Sequence, residues 1–285
     1  MKKITKTLLL SLAALTGLVG CGGAPEVDKD VAKQRAQKIV EKQNEADFEI
    51  PNKLYIELNA SSTSVSKSGD ETEKTDMKHY QIMSLDLNAQ QLYVGASTST
   101  STNGQDPDNG CEYLWVYVED NYIYTVYQKN DTKQYTKEAF SGSFKDTIEA
   151  NYQTLETIIK SSDALDLDEY EKEVYDDIAS QIGLSFGKPT VKYTSNGEGN
   201  LGIEQTASLD VNLTKSSATI KATGSITSSI GFDNYLYSFG SSSVKLSVDL
   251  NGTVHMDVNA SSKLNVHLNK AKFSKPNLND FSQMA

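Results

Sequence analysis

The strongest constraint on this chain is an alternation of period two that runs from residue 201 to residue 268. Leu201, Ile203, Ala207, Leu209, Val211 and Leu213 alternate with polar residues, and Ala218, Ile220, Ala222, Ile226, Ile230 and Phe232 do the same. Val244, Leu246, Val248 and Leu250 follow, then Val254, Met256 and Val258, then Leu264, Val266 and Leu268. A helix would put such residues all round its circumference. A strand puts them on one face, because successive side chains point to opposite sides. The segment is therefore read as an antiparallel meander, with one apolar face and one face of Ser, Thr, Asn and Lys.

Turn parity refines this reading, because apolar residues of paired strands must share a face. Around Asn251-Gly252 the apolar positions are even on both sides. A three-residue loop Leu250-Asn251-Gly252 satisfies that parity and pairs Val248 with Val254 and Leu246 with Met256. Between Leu213 and Ala218 the parity changes, so a loop of even length is expected there. The apolar set switches from Tyr235, Tyr237 and Phe239 to Val244, and a bulge at Gly240 would make that switch.

Upstream, KLYIELNA places Leu54, Ile56, Leu58 and Ala60 on one face, and MKHYQIMSLDL and QLYVGAST read as further strands joined at Asn88-Ala89-Gln90. Residues 97–110, STSTSTNGQDPDNG, read as a mobile polar loop. CEYLWVYVEDNYIYTVYQ reads as a hairpin with Asp120-Asn121 at its tip. Pairing Glu119 with Tyr122 puts Tyr113, Trp115, Tyr117, Tyr124 and Val126 on one face. Leu114, Val116, Val118, Ile123 and Tyr127 fall on the other, so both faces of this hairpin need cover.

Helical spacing occurs in three places. Val31, Ala32, Ala36, Ile39 and Val40 form a stripe over residues 28–46, with Asp28 and Asp30 near the positive end. Ser143 and Asp146 have capping-box spacing before Phe144, Ile148, Tyr152, Leu155 and Ile159. Leu167, Tyr170, Val174, Ile178 and Ile182 make a second mid-chain stripe ending at Gly183. Its other face carries Asp166, Asp168, Glu169, Glu171, Glu173, Asp176 and Asp177. These lack the spacing of a calcium loop and read as a solvated face.

The N-terminus supplies an address. Lys2, Lys3 and Lys6 precede an apolar run, Leu8 to Leu18, that is too short to span a bilayer. Leu18-Val19-Gly20-Cys21 resembles the lipobox of bacterial lipoproteins. That resemblance implies diacylglycerol on the Cys21 sulfur, cleavage before Cys21, and an acyl chain such as palmitate on the new N-terminus. Two or more acyl chains anchor stably, since each buried methylene contributes about 0.8 kcal/mol. The expected organisation is a leader over residues 1–20, an acylated tether over 21–30 and one domain over 31–285. Cys21 is committed to lipid, so Cys111 stands alone and, at the start of the apolar run CEYLWVYV, reads as a small buried residue rather than a nucleophile.

Charge narrows the partners. The chain carries a net charge of −11, which becomes −14 without the three lysines of the leader, and Arg35 is its only arginine. Nucleic acid is excluded as a charge-driven partner, and bidentate forks for phosphate are missing. The three histidines are His79, His255 and His267. His255 and His267 fall on adjacent expected strands with Asp257 nearby. A metal chelate and two exposed strand histidines are both compatible with that placing, the second being the commoner case. No catalytic signature is present, so the chain reads as a non-enzyme with no cofactor and no metal.

These elements predict an α+β fold. One large curved antiparallel sheet, a half-barrel of about ten or eleven strands, has an N-terminal helix and two mid-chain helices on its concave side. In that order of elements the chain resembles the lipid-carrying half-barrel lipoproteins typified by LolA/LolB and LppX/LprG. The resemblance implies a membrane-anchored extracytoplasmic protein with an apolar cavity for a lipid or other hydrophobic ligand. The candidate lining is Leu54, Ile56, Leu58, Trp115, Leu209, Val211, Leu213, Ile220, Ile226, Val244, Leu246, Val248, Val254, Met256, Val258, Leu264, Val266 and Leu268. The same residues would equally form a filled core, in a structural or protein-interaction lipoprotein whose partner the sequence does not name.

Overall fold

The computed structural model describes residues 24–160, 165–168, 187, 189–215 and 218–277. Its strands are β1 (Glu26–Val27), β2 (Lys53–Ser68), β3 (Glu71–Asp86), β4 (Gln91–Thr102), β5 (Asp108–Glu119), β6 (Tyr122–Lys129), β7 (Thr132–Ala139), β8 (Thr190–Thr194), β9 (Leu201–Lys215), β10 (Ala218–Asp233), β11 (Leu236–Leu250) and β12 (Val254–Leu268). Its helices are α1 (Lys29–Gln43), α2 (Phe144–Thr147) and α3 (Glu149–Ile159). All twelve strands form one curved, unclosed antiparallel sheet in the order β1-β8-β9-β10-β11-β12-β2-β3-β4-β5-β6-β7. Two local meanders, β2–β7 and β8–β12, meet at the β12–β2 seam.

The helices form where their stripes and caps predict. Asp28 Oδ1 accepts a hydrogen bond from the Val31 N–H at 2.8 Å and starts α1. The helix buries Ala32, Ala36, Ile39 and Gln43. The two alanines bring its backbone close to the sheet, and Gln43 Nε2 donates to the Tyr235 carbonyl at 2.6 Å. Ser143 Oγ accepts from the Asp146 N–H at 3.4 Å. The expected single helix after it breaks at Ile148, yet Phe144, Ile148, Tyr152, Leu155 and Ile159 are all buried. Most of the second mid-chain stripe, from residue 169 to residue 186, lies outside the described residues, as do Cys21 and the leader. Asp168, at the edge of that stripe, bridges Lys29 at 2.8 Å and Lys33 at 2.7 Å on α1. The lysines hold its carboxyl down at about 2.

Several expectations are corrected. Residues 97–110 are mostly strand. β4 runs to Thr102 and β5 starts at Asp108, with Ser97 opposite Cys111 and Thr100 opposite Asp108. A Ser/Thr run has no apolar alternation, but its hydroxyls sit comfortably on a pleated surface and its backbone pairs like any other. Only a short turn remains, with Asn103 and Gly104 at φ of 52° and 72°. Within the stretch read as tether, Glu26–Val27 pair with β8, and α1 begins at Lys29 inside the expected helical stretch.

The β11–β12 turn keeps its even parity but slides by one residue. Leu250 pairs with Val254 and Val248 with Met256, because Asn251 and Gly252 both adopt left-handed φ, 53° and 67°. The bulge lies at Ser238 rather than Gly240. Gly231 faces Phe239 and Phe232 faces Tyr237, leaving Ser238 as the extra residue. β12 is one uninterrupted strand, so His255 and His267 do not face each other. They lie twelve residues apart on the same strand, roughly 40 Å at about 3.3 Å per residue.

Candidate functional site

Following register from strand to strand shows that the apolar face is three zones. The first is a core sealed by α1 and α3. Leu54, Ile56, Leu58 and Leu264 are no more than 2% exposed and cluster with Ile39, Leu155 and Ile159, with Val266 and Leu268 packed at the margin. The second is a polar rung. Gln205, Ser228, Ser242 and Ser262 stand in register across β9, β10, β11 and β12, and Ala60 and His79 continue it on β2 and β3. Burial lowers the pKa of His79.

The third zone lies beyond the rung. Ala207, Ile226, Val244 and Ala260 form one row; Leu209, Gly224, Leu246 and Val258 the next; Val211, Ala222, Val248 and Met256 the third; and Leu213, Ile220, Leu250 and Val254 the last. This four-by-four field contains no polar side chain. Leu209, Ala222 and Ile226 are buried at its centre, while Leu250 on β11 and Met256 on β12 are 39% and 37% exposed. No residue of α1, α2 or α3 belongs to this cluster.

The eighteen residues picked from the sequence as cavity lining therefore do not share one site. Leu54, Ile56, Leu58, Leu264, Val266 and Leu268 belong to the sealed core. Leu209, Val211, Leu213, Ile220, Ile226, Val244, Leu246, Val248, Val254, Met256 and Val258 belong to the distal field. Trp115 belongs to neither. Leu54 pairs with Leu85, Leu85 with Leu92 and Leu92 with Val116, so Val116 shares the apolar face and Trp115 points to the other side. Period two cannot show the break at the rung unless the serines are read in register. That signal was present, because each of β10, β11 and β12 substitutes serine once in its apolar row.

The opposite face holds a second feature. A cavity of about 960 Å³ crosses the sheet at mid-length. β2, β3, β4, β5, β11 and β12 each give it two residues of that face, for example Asn59 and Ser61 on β2, Ser97 and Ser99 on β4, and Ser241 and Ser243 on β11, and β6 adds Gln128. Beside it stand three clustered rings, Tyr93 stacked on both Tyr113 and Trp115, which are tilted to each other by 44°. Tyr93 lies 5.3 Å from Trp115 and 6.2 Å from Tyr113, and Tyr113 lies 5.6 Å from Trp115. Burial pushes the Tyr93 phenol up to about 12. Further along, Tyr117 and Tyr124 stack at 5.0 Å, and Phe273 of the C-terminal segment closes edge-on over Tyr117 at 5.8 Å. Cys111, expected to be buried, is only half-buried and lines the cavity, because it lies on the polar face of β5.

The family models contain no match to this chain, and no curated protein matches it. Among solved structures the chain is similar to the translocator domain of autotransporter NalP from Neisseria meningitidis, at 5% identity, over 83% of this chain and 95% of that chain, with a TM-score of 0.19. A likeness at that level carries no argument, so the chemistry of the faces has to speak for itself.

The histidines do not assemble a metal centre. His255 is clamped between Asp249, 2.8 Å from Nδ1, and Asp257, 2.9 Å from Nε2, and the carboxylates occupy opposite edges of the ring. His267 stacks on Tyr55 at 4.1 Å and reaches Glu57 at 3.3 Å. Among the described residues no group of three ligands converges.

The clamp predicts a pH response. Asp249, then Asp257, raise the pKa of His255 above the ordinary value of about 6.5. The stabilisation is fully present below that ordinary value and is lost as pH rises through the elevated one. NMR titration of the His255 ring should give a midpoint above 6.5, shifted down in Asp249→Asn. A midpoint at or below the free-imidazole value would refute the clamp.

Proposed function

We propose that this chain is a membrane-anchored extracytoplasmic lipoprotein that binds a lipid or other hydrophobic ligand on the distal apolar field. The observation that carries the reading is the four-by-four block of apolar positions on β9–β12, which no residue of the described helices covers. An acyl chain needs an apolar surface and no charge, and burial of each methylene contributes about 0.8 kcal/mol. The anchor on Cys21 would hold the domain at the membrane surface, beside a source of such chains. Catalysis is not part of this reading.

A second reading, a non-enzymatic surface lipoprotein acting as a structural or protein-interaction module, draws on the sealed core, where Leu54, Leu155 and Ile159 are wholly buried.

One experiment separates them. The full chain with Cys21→Ser carries no covalent lipid, so it should leave the membrane fraction. Organic extraction of the purified variant, read by mass spectrometry, should still release a stoichiometric lipid. Adding Leu246→Glu should abolish that lipid while far-UV circular dichroism stays unchanged. Lipid-free protein from the single variant would favour the interaction module. Retention of Cys21→Ser in the membrane would overturn the anchor.

A further inference from the structure

We propose that the polar face carries a glycan-binding cleft, made of the mid-sheet cavity and the Tyr93–Tyr113–Trp115 platform, and that its ligand is an oligosaccharide bearing carboxylates. The proposal does not depend on the lipid reading, because the field and the cleft lie on opposite faces of the sheet.

The platform is built into the backbone. At Gly95 a Cβ would fall 2.6 Å from Tyr113 Cδ1 and 2.9 Å from Tyr93 Oη, so the absent side chain is what lets both rings lie down across the strand. All three aromatic residues are only half-buried. Sugar rings present C–H faces that stack on aromatic faces, whose electron-rich π clouds attract them. The cavity beside the platform is lined by serine hydroxyls and by Asn and Gln amides. Groups of these kinds both donate and accept, which matches hydroxyls that do the same.

The charge of the ligand follows from two lysines. Lys263 pairs with Asn59 and Lys78 with Ser61, so both ammonium groups rise from the same part of the cavity wall. Neither makes an ion pair among the described residues. Asp131 also lines the cavity and Asp76 acts electrostatically on Lys78, but the two lysines outnumber the one lining carboxylate, which suits this wall to a carboxylate on the sugar. A nucleic acid would need many more cations, and its phosphates would meet an acidic surface.

Trp115 is the only tryptophan, so its fluorescence reports the platform directly. In the full chain with Cys21→Ser, Cys111 is the only thiol and reports the cavity. The probes are tetrasaccharides of galacturonic acid, the corresponding neutral tetrasaccharide and a short oligonucleotide. The acidic sugar should shift Trp115 emission saturably and slow alkylation of Cys111. Tyr113→Ala should weaken binding about tenfold, and Lys78→Ala with Lys263→Ala about fivefold, with unchanged circular dichroism.

Equal binding of neutral and acidic sugars would overturn the carboxylate assignment. An oligonucleotide that binds as well as the acidic sugar would overturn the ligand class. Unchanged fluorescence and unprotected Cys111 at millimolar sugar would overturn the site.

Discussion

Replacing Phe232 by alanine should destabilise the protein by about 3–5 kcal/mol, the range for deleting a buried aromatic ring. Phe232 is wholly buried, pairs with Leu201 on β9, and meets Tyr237 edge-on at 5.6 Å and 87°. It also sits at the register shift. The chain must place Phe232 opposite Tyr237 once Ser238 has been looped out, and Ser238 Oγ donates to the Gly231 carbonyl at 3.0 Å. Removing the ring takes away both packing and the anchor for that shift. Total stabilities of about 5–15 kcal/mol are usual, so a loss of this size leaves little margin. Urea denaturation followed by far-UV circular dichroism measures it. A loss under about 1 kcal/mol would mean that the site collapses around the gap and that Phe232 is not a fixed point of the core.

Gly224→Val should cost about 3 kcal/mol, at the upper end for overpacking, because the obstacle is backbone. An added Cβ would lie 2.4 Å from the Lys245 carbonyl oxygen and 3.3 Å from Leu246 Cα. Relief requires β11 to move away from β10, where the two strands are paired along nearly their whole length. The same substitution reads out the apolar field, since Gly224 lies between Leu209 and Leu246 in its second row. The denaturation midpoint and the lipid content should fall together. Retained stability with lost lipid would separate a purely local effect from a shift of β11.

The course of the chain through the sheet was legible wherever one face is oily and the other polar. Leu54 to Leu58 and Leu201 to Leu268 show period two, and the Glu119–Tyr122 register of the hairpin follows from its tip. β7, β8 and β1 were not legible. TKQYTKEA is polar throughout and TVKYT is short, and their positions are fixed by neighbours rather than by their own pattern. The lysines that hide β7 from a pattern search also suit it to the sheet edge, where charge discourages pairing with another chain.

The candidate sites were only half readable. Alternation identifies which residues share a face, but the division of that face into sealed core, rung and field depends on how far α1 and α3 reach. The cavity was invisible for a related reason. Ser61, Ser97 and Ser241 are remote in sequence and carry no periodic signal, and only the sheet order brings them together.

The seam between β12 and β2 has a consequence for assembly. Ser61 and Ser261 touch at 3.1 Å across 200 residues of chain. β12 is the keystone of the arch. Before it is synthesised, no strand pairing among the described residues joins β2–β7 to β8–β11, and each ribbon ends in a raw edge. Closing so large a loop is slow, so completion of the arch waits for β12. Truncation before Val254 removes a small part of the sequence and, among the described residues, the strand that pairs its two halves into one sheet.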